Sequence, residues 1–473
     1  MSTPQSAPDR FPLQVKFIVG NEACERFSYY GMRSILAGYI TGAVVNGGLG
    51  QTGDRSTEII HLFVSANYFM PLLGAWLADK FLGRYHTILW VSFFYCAGHG
   101  VLACSDFAGG VDGKLWCLFA GLALIAFGSG GIKPCVSAFM GDQFKPAQSH
   151  LLQKAYGAFY WSINLGSFFS FLVVPWVKNH HGFSWAFGVP GILMAVATWI
   201  FWLGAKHYVR VPAGRETRSA GFFKVFWYAL TVRRAGGRGF WSAARGRFSE
   251  QEVDAAKSVL PILGIFALVP PFWSLFDQTS STWVLQGQKM QAFDLLGLHI
   301  GAEQMQSANP LLVMILVPLL TLLVYPRLGK YASPLRRMSY GMFLGAASYV
   351  IVAGLQQRLE AGAQLSVAWQ TLPYIVLTTA EVLVSTTGLE FAFREAAPGM
   401  KSLIMSFWLL TVTAGNLLVA FITQHLSGAG GGETSVTPER FLMYAALAFG
   451  VAILFSIVAT FYRYRDRESA YGR

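Results

Sequence analysis

The stretch Glu22-Ala23-Cys24-Glu25-Arg26-Phe27-Ser28-Tyr29-Tyr30-Gly31-Met32-Arg33 decides how the rest of the chain is interpreted. It lies within a predicted apolar span, yet it carries four charged residues. On a helix that advances about 100° per residue, one stripe is polar and the opposite side is apolar. The polar stripe consists of Glu22, Glu25, Arg26, Tyr29 and Arg33. A charge in a bilayer costs at least ~2.5–3.5 kcal/mol, so these side chains should face a partner or a wet cavity.

The composition is that of a membrane protein. The chain has 473 residues, of which 54% are hydrophobic and 13% are charged, and its mean hydropathy is +0.44. Apolar runs of about 20 residues recur along the chain, and each matches a hydrocarbon core of ~30 Å. These runs predict an all-α polytopic membrane protein, because a β-barrel would show short alternating strands instead.

The net charge of +12 does not predict nucleic-acid binding. Lysines and arginines cluster in alternate loops, as the positive-inside rule requires. The first twelve residues lack the basic region of a signal peptide, so the first span should be retained. The five cysteines show neither metal-site spacing nor a disulfide framework, and we expect no metal and no cofactor besides transported protons.

We predict twelve spans with both termini in the cytoplasm. The longest gap follows the sixth span and is rich in arginine, and the odd-numbered loops are nearly free of Lys and Arg. The predicted spans are 14–41, 57–79, 85–105, 115–140, 152–177, 184–207, 257–289, 305–325, 334–356, 367–391, 400–425 and 439–462. They divide the chain into a tail (1–13), a six-helix bundle (14–208), a basic linker (209–256), a second six-helix bundle (257–462) and a tail (463–473).

Two local patterns stand out in the linker. The run 222–228 should form an amphipathic piece on the inner membrane face. Ser249 and Glu252 form a capping-box pattern that would start a helical lead-in to the seventh span.

Two six-helix halves around a cavity describe the major facilitator fold. Weak sequence similarity between residues 74–84 and 326–330 supports a division into two halves. The pattern Gly74…Asp79…Gly83-Arg84 resembles the loop motif of that superfamily. Asp79 and Arg84 could clamp helix ends, or they could form an ordinary charged turn.

Several polar residues stand alone within apolar spans. Lys133 and Glu381 are the clearest, because an unpaired charge there is hard to tolerate. His61 could be functional or a satisfied packing residue, and Asn164 and Asn309 could join helices. Asp277 and Tyr68 also lie within predicted spans.

Several motifs together resemble the proton-dependent oligopeptide transporters (the peptide/nitrate transporter family). The matching segments are Glu22-x-x-Glu25-Arg26-Phe27, Gly130-Gly131-Ile132-Lys133-Pro134, Asp142-Gln143-Phe144, 159–167, Phe272-Trp273 through Trp283, 306–310, and Glu381 through Phe391. The resemblance implies a bacterial inner-membrane symporter, acting as a monomer, that imports di- and tripeptides with protons. Many bacterial members carry two extra helices between the halves, for which this linker is too short and too basic.

The resemblance and the residue chemistry predict the same peptide site. Arg33 and Lys133 could bind the peptide carboxylate and Glu381 the ammonium, while the amides of Asn164 and Asn309 match the peptide backbone. Aromatic residues would line roomy side-chain pockets, although simple packing is the alternative for any one of them other than Tyr30, Tyr68 and Trp273. These residues are Tyr29, Tyr30, Tyr68, Trp273 and Trp408.

Proton coupling is assigned to Glu22, Glu25, Arg26, His61 and Asp277. An unprotonated Glu would engage Arg26 or Lys133, and protonation would release that cation for the peptide. We expect His61 to pair with Asp277, with Arg33 nearby, at the outer gate. The resemblance also suggests a contact between Lys133 and Glu381 when the site is empty.

Other functions are less consistent with the sequence. A nitrate or other small-anion carrier of the same family has no use for Glu381, and a drug or sugar facilitator is a weaker alternative. An enzyme is not expected, because neither HExxH nor Gly-x-Ser-x-Gly occurs. The linker is too small for the output domain of a sensor.

Overall fold

The computed structural model describes residues 11–145, 148–214, 221–232, 239–397, 400–427 and 435–464. These parts are mostly helical, with one small hairpin. The α-helices are α1 Val15–Thr41, α2 Gly53–Leu77, α3 Gly83–Ala103, α4 Gly110–Asp142, α5 Ser149–Leu203, α6 Phe222–Thr231, α7 Ser242–Arg245, α8 Glu250–Phe266, α9 Pro270–Phe276, α10 Thr282–Gln288, α11 Ala308–Leu319, α12 Tyr325–Leu328, α13 Pro334–Glu360, α14 Thr371–Glu381, α15 Thr387–Glu395, α16 Lys401–Leu426 and α17 Pro438–Phe461.

Helices α1 to α5 pack together as the N-terminal bundle. The sequence predicts two spans within α5, separated by a short loop. Instead, helix continues on both sides of a break at Gly182, whose φ of 81° and ψ of 178° are not helical. Glycine adopts this positive φ without a Cβ clash, so one residue is enough to separate the two arms.

Helices α8 to α17 form the C-terminal bundle. The seventh predicted span is bent by 45° between α8 and the segment Pro270–Gln288. The short strands β1 (Phe293–Leu295) and β2 (Leu298–Ile300) pair antiparallel between this span and the next, which the sequence analysis did not predict. A π-helical turn, Val382–Thr386, directly follows Glu381.

The described residues contain eight helices long and apolar enough to cross a membrane, or nine if the bent pair counts as one span. Two of them, Gly53–Ala103 and His150–Lys206, are 51 and 57 residues long and thus long enough for two passes each. Helix α1, which carries several charged residues, is not among the helices that are long and apolar enough. Helix therefore lies at every predicted span, while the number of twelve passes stays a prediction.

Small residues bring α2 and α4 into direct backbone contact. A Cβ added to Gly74 would lie 2.6 Å from the α-carbon of Gly131, so a side chain at Gly74 would push the helices apart. Of the two alternatives for the following turn, the structure shows a clamp of helix ends for Arg84. Arg84 binds Asp142 at 2.6 Å and thereby joins the start of α3 to the end of α4.

The linker contains α6 and α7, and the predicted capping box of Ser249 and Glu252 starts α8. Parts of the linker (215–220 and 233–238) and most of both tails lie outside the described residues. The two bundles meet mainly where α2 packs on α16 and where α5 packs on α11. The cavity lies between these two contacts.

Candidate functional site

A cavity of about 220 Å³ lies between the bundles. Polar groups from both bundles reach its wall, and they include eight of the residues that the sequence singled out. These are Tyr30, Arg33, Tyr68, Asn164, Trp273, Asp277, Asn309 and Glu381. The cavity therefore gathers residues that are as many as 351 positions apart in the chain (Tyr30 to Glu381).

Glu22, Glu25 and Arg26 form a buried cluster on α1. Arg26 Nε lies 3.2 Å from Glu22 Oε1, and the same guanidinium contacts the carboxylate of Glu25. All three side chains are at most 7% exposed. One guanidinium thus serves two carboxylates, so one of them can take up a proton while Arg26 keeps an anionic partner.

Lys133 lies behind the cavity wall, against Tyr29 and Tyr68, and does not itself line the cavity. Its ammonium is 4.1 Å from the ring centroid of Tyr68 and 4.7 Å from that of Tyr29, and it has no hydrogen-bond partner in the described part of the chain. The aromatic rings offset only part of the cost of burying an ammonium group. An anion that binds next to Lys133 would therefore stabilise a buried ammonium group that has no hydrogen-bond partner in the described residues.

The suggested contact between Lys133 and Glu381 is wrong for this structure. The Glu381 carboxylate instead accepts a 2.7 Å hydrogen bond from Asn309 Nδ2, which also lies 3.2 Å from Thr378 Oγ1. The two charges therefore remain available to different ends of a ligand. The π-helical turn after Glu381 is of a kind often found at functional sites.

An ion pair closes the cavity on the side that we predict to face outward. Arg33 Nη2 lies 2.7 Å from Asp277 Oδ1, and Arg33 Nε donates to Ser280 Oγ at 3.0 Å. In this state Arg33 lines the cavity but is already paired. Lys133, by contrast, has no hydrogen-bond partner in the described part of the chain.

The predicted direct pair of His61 and Asp277 is wrong, because Asn416 lies between them. Asn416 Nδ2 donates to Asp277 Oδ2 at 2.7 Å, and its Oδ1 lies 2.7 Å from His61 Nδ1. This arrangement assigns the donor proton to Nδ1. The other ring nitrogen, Nε2, lies 2.9 Å from the hydroxyl of Ser281.

A second ion pair, which was not predicted from the sequence, joins α5 to the segment before α11. Lys178 Nζ lies 2.5 Å from Glu303 Oε2, and the Glu303 side chain is only 4% exposed. Gln306 also donates to the carbonyl of Ser34 at 3.2 Å. Isolated charges at span ends could have revealed the pair, and Asn416 carries the same signal as Asn164, a single amide in an apolar span.

Three of the predicted substrate-binding residues, Tyr29, Lys133 and Trp408, are not among the residues that line the cavity. Tyr29 is fully buried, and its hydroxyl accepts a 2.9 Å hydrogen bond from Asn67. Trp408 packs against Phe266 and Trp273, with ring centroids 5.2 and 6.1 Å away. Both support the wall from behind. Within the described ranges, no group of three or more His, Cys, Asp or Glu could hold a metal ion.

The chain resembles known transporters in sequence. The model of the POT family matches residues 85–432. Human solute carrier family 15 member 2 is 36% identical over 408 residues, which are 82% of this chain and 55% of the relative. Peptide transporter family 1 of Drosophila melanogaster is 38% identical over 371 residues, 75% of this chain and 49% of the relative. The chain thus spans about half the length of these curated relatives.

Solved structures extend the similarity to nearly the whole chain. A crystal structure described as an auto-inhibited POT family peptide transporter is 40% identical, has a TM-score of 0.86, and covers 96% of this chain and 98% of its own. The in meso structure of the POT family transporter PepTSo is 39% identical with the same TM-score, and the match covers 97% and 99% of the two chains. Because the family model covers most of the chain and the fold agrees, this protein belongs to the POT family.

Proposed function

We propose that this protein is a proton-coupled symporter that imports di- and tripeptides by alternating access and catalyses no covalent step. The observation that carries the proposal is the separation of unlike charges around one cavity. Arg33 lines the cavity from the N-terminal bundle and Glu381 lines it from the C-terminal bundle, while Lys133 lies behind the lining residue Tyr68. A zwitterionic peptide offers a matching charge to each.

Recognition of the peptide backbone explains how such a site tolerates different side chains. Asn164 and Asn309 line the same cavity and offer amide donors and acceptors. Tyr30, Tyr68 and Trp273 provide apolar wall around them. Binding strength would then depend mostly on the two peptide ends and the amide bond.

Proton coupling would follow from the cluster on α1. Uptake of a proton by Glu22 or Glu25 weakens the hold of the cluster on neighbouring cations, which favours binding of the peptide carboxylate at Lys133. Bilayer-embedded groups of this kind titrate as a unit. Protons are the coupling ion, and we expect no other cofactor.

We further propose a monomer in the inner cell membrane, with both termini in the cytoplasm. The basic linker and the basic last segment support this orientation, since Lys and Arg are retained on the cytoplasmic side.

The test is uptake of labelled dialanine into proteoliposomes under an imposed inward proton gradient. We expect accumulation that collapses with a protonophore, and intact dipeptide recovered inside. Labelled nitrate serves as the competing substrate. Nitrate uptake without dialanine uptake would contradict the proposal, as would recovery of free alanine, which would show hydrolysis.

A further inference from the structure

The linker helix α6 presents three distinct faces. At about 100° per residue, Phe222, Val225 and Ala229 fall on one stripe, and these are at most 5% exposed. Phe223, Trp227 and Leu230 fall on a second stripe roughly 125° away. They are 62%, 65% and 52% exposed. The third face carries Lys224, Tyr228 and Thr231.

The first turn of α6 packs on α16 at a definite depth, through one residue of the buried stripe and one of the exposed stripe. Phe222 and Phe223 contact Phe407 of α16, with ring centroids 6.3 and 6.1 Å away. Phe407 is six residues from Lys401, where α16 begins. At 1.5 Å per residue, Phe407 lies about 9 Å along the helix from this end. The start of α6 is therefore level with the membrane interface rather than out in the solvent.

The surrounding charge indicates which surface covers the exposed apolar stripe. Residues 206–247 contain ten Lys or Arg and a single acidic residue, Glu216. An apolar stripe beside basic residues is typical of a helix that lies in the interface and is attracted to anionic lipids. A protein partner would not by itself account for the depth of α6.

We propose that α6 is a lipid-binding element that inserts Phe223, Trp227 and Leu230 into one leaflet and takes anionic phospholipid as its partner. Lys224, next to the inserted stripe, contributes to the attraction. Because α6 also contacts Phe407, the lipid surface is connected directly to α16, the helix that packs on α2 of the other bundle.

The test is hydrogen exchange of the α6 amides, followed by mass spectrometry, in the full-length protein. The protein is placed in nanodiscs of phosphatidylcholine alone or with phosphatidylglycerol added. We expect slower exchange of residues 222–231 with the anionic lipid, by about fivefold for each basic residue that the surface attracts. High salt should abolish the difference, because it screens exposed charges.

Variants distinguish insertion from a general lipid effect. The double variant F223Q/W227Q should lose the protection, and K224Q should reduce it. W202Q is the matched control, since Trp202 is 57% exposed near the end of α5, before the linker. Equal exchange in the two lipids for the wild-type protein would overturn the proposal. So would protection that survives F223Q/W227Q. Neither result depends on peptide transport, so the proposed function is tested separately.

Discussion

Arg33 of α1 and Asp277, in the 3-10 turn that follows α9, form a buried ion pair with 2.7 Å between Nη2 and Oδ1. It joins the two bundles above the central cavity. In the described part of the chain, the side-chain hydrogen bonds between the bundles lie in the outer half or near the middle, and Ser65 with Thr413 marks the innermost of them. The structure therefore represents a state closed on the side that we predict to face outward.

The first prediction is that D277N opens the outer side. The variant leaves the buried guanidinium of Arg33 without its anion, and breaking a buried pair in this way costs about 3–5 kcal/mol in the closed state. Spin labels at Val45 and Leu296, which are 91% and 96% exposed, should move apart in the distance distribution. D294N is the control, because Asp294 pairs only with His299 of the same hairpin in the described structure. An unchanged distance in D277N would show that this pair does not hold the gate.

The second prediction concerns the cluster on α1. E22Q or E25Q replaces an ionisable carboxyl group with a neutral amide of nearly the same shape. Acid-driven dialanine accumulation should fall by about 5- to 150-fold, the usual range for coupling between two sites. Peptide counterflow, which needs no net proton movement, should persist in part. E58Q is the control, since Glu58 pairs with Arg55 at the outer end of α2. Undiminished acid-driven accumulation in both variants would refute the role of the cluster.

The third prediction assigns Lys133 to the carboxyl end of the peptide. In the wild-type protein, a dipeptide amide should bind about tenfold or more weakly than the free acid, because a hydrogen bond to a charged group is lost. In K133Q this difference should nearly vanish, whereas K114Q should retain it, since Lys114 pairs with Asp106 in an outer loop. Competition for dialanine binding measures both affinities. A full preference for the free acid in K133Q would transfer the role to Arg33.

The fourth prediction applies the same comparison to Glu381 and the amino end. N-acetylated dipeptide should bind more weakly than the free amine in the wild-type protein, and E381Q should remove most of that preference while keeping the hydrogen bond from Asn309 possible. E360Q is the control, because Glu360 contacts Gln356 outside the cavity. If E381Q still discriminates against the acetylated peptide, Glu381 does not bind the ammonium.

The fifth prediction is a pH effect on stability at the outer loop. Partial burial alone would raise the pKa of Asp106, but hydrogen bonds from Lys114 and Ser184 outweigh it and hold that pKa below its ordinary value. A lowered pKa stabilises the folded state above the ordinary Asp pKa of about 3.9, and this contribution is lost as the pH falls through the folded value. D106N should therefore lower the melting temperature at pH 7, and the difference should shrink towards pH 3. Exposed Asp254 provides the control variant D254N, and a difference that does not depend on pH would contradict the charge-based explanation.

Most of the architecture could be predicted from the sequence, because apolar runs of bilayer length leave few alternatives to helices. Isolated charged residues such as Lys133 and Glu381 predicted a polar region between the helices. An ionised group within the bilayer requires a partner or a water-filled cavity. The small hairpin β1–β2 was not predicted, because its exposed Leu295 and Leu298 resemble an ordinary loop. The one-residue break at Gly182 was predicted only as a loop.

The partners of the polar groups were decided by the tertiary structure. The sequence by itself determined that polar and charged groups must contact one another within the membrane, because exposing them to hydrocarbon is energetically costly. It could not determine that Asn416 separates His61 from Asp277, that Asn309 binds Glu381, or that Lys178 reaches Glu303. Hydrogen bonds act over about 3 Å, and only the packing of one bundle against the other fixes positions that closely.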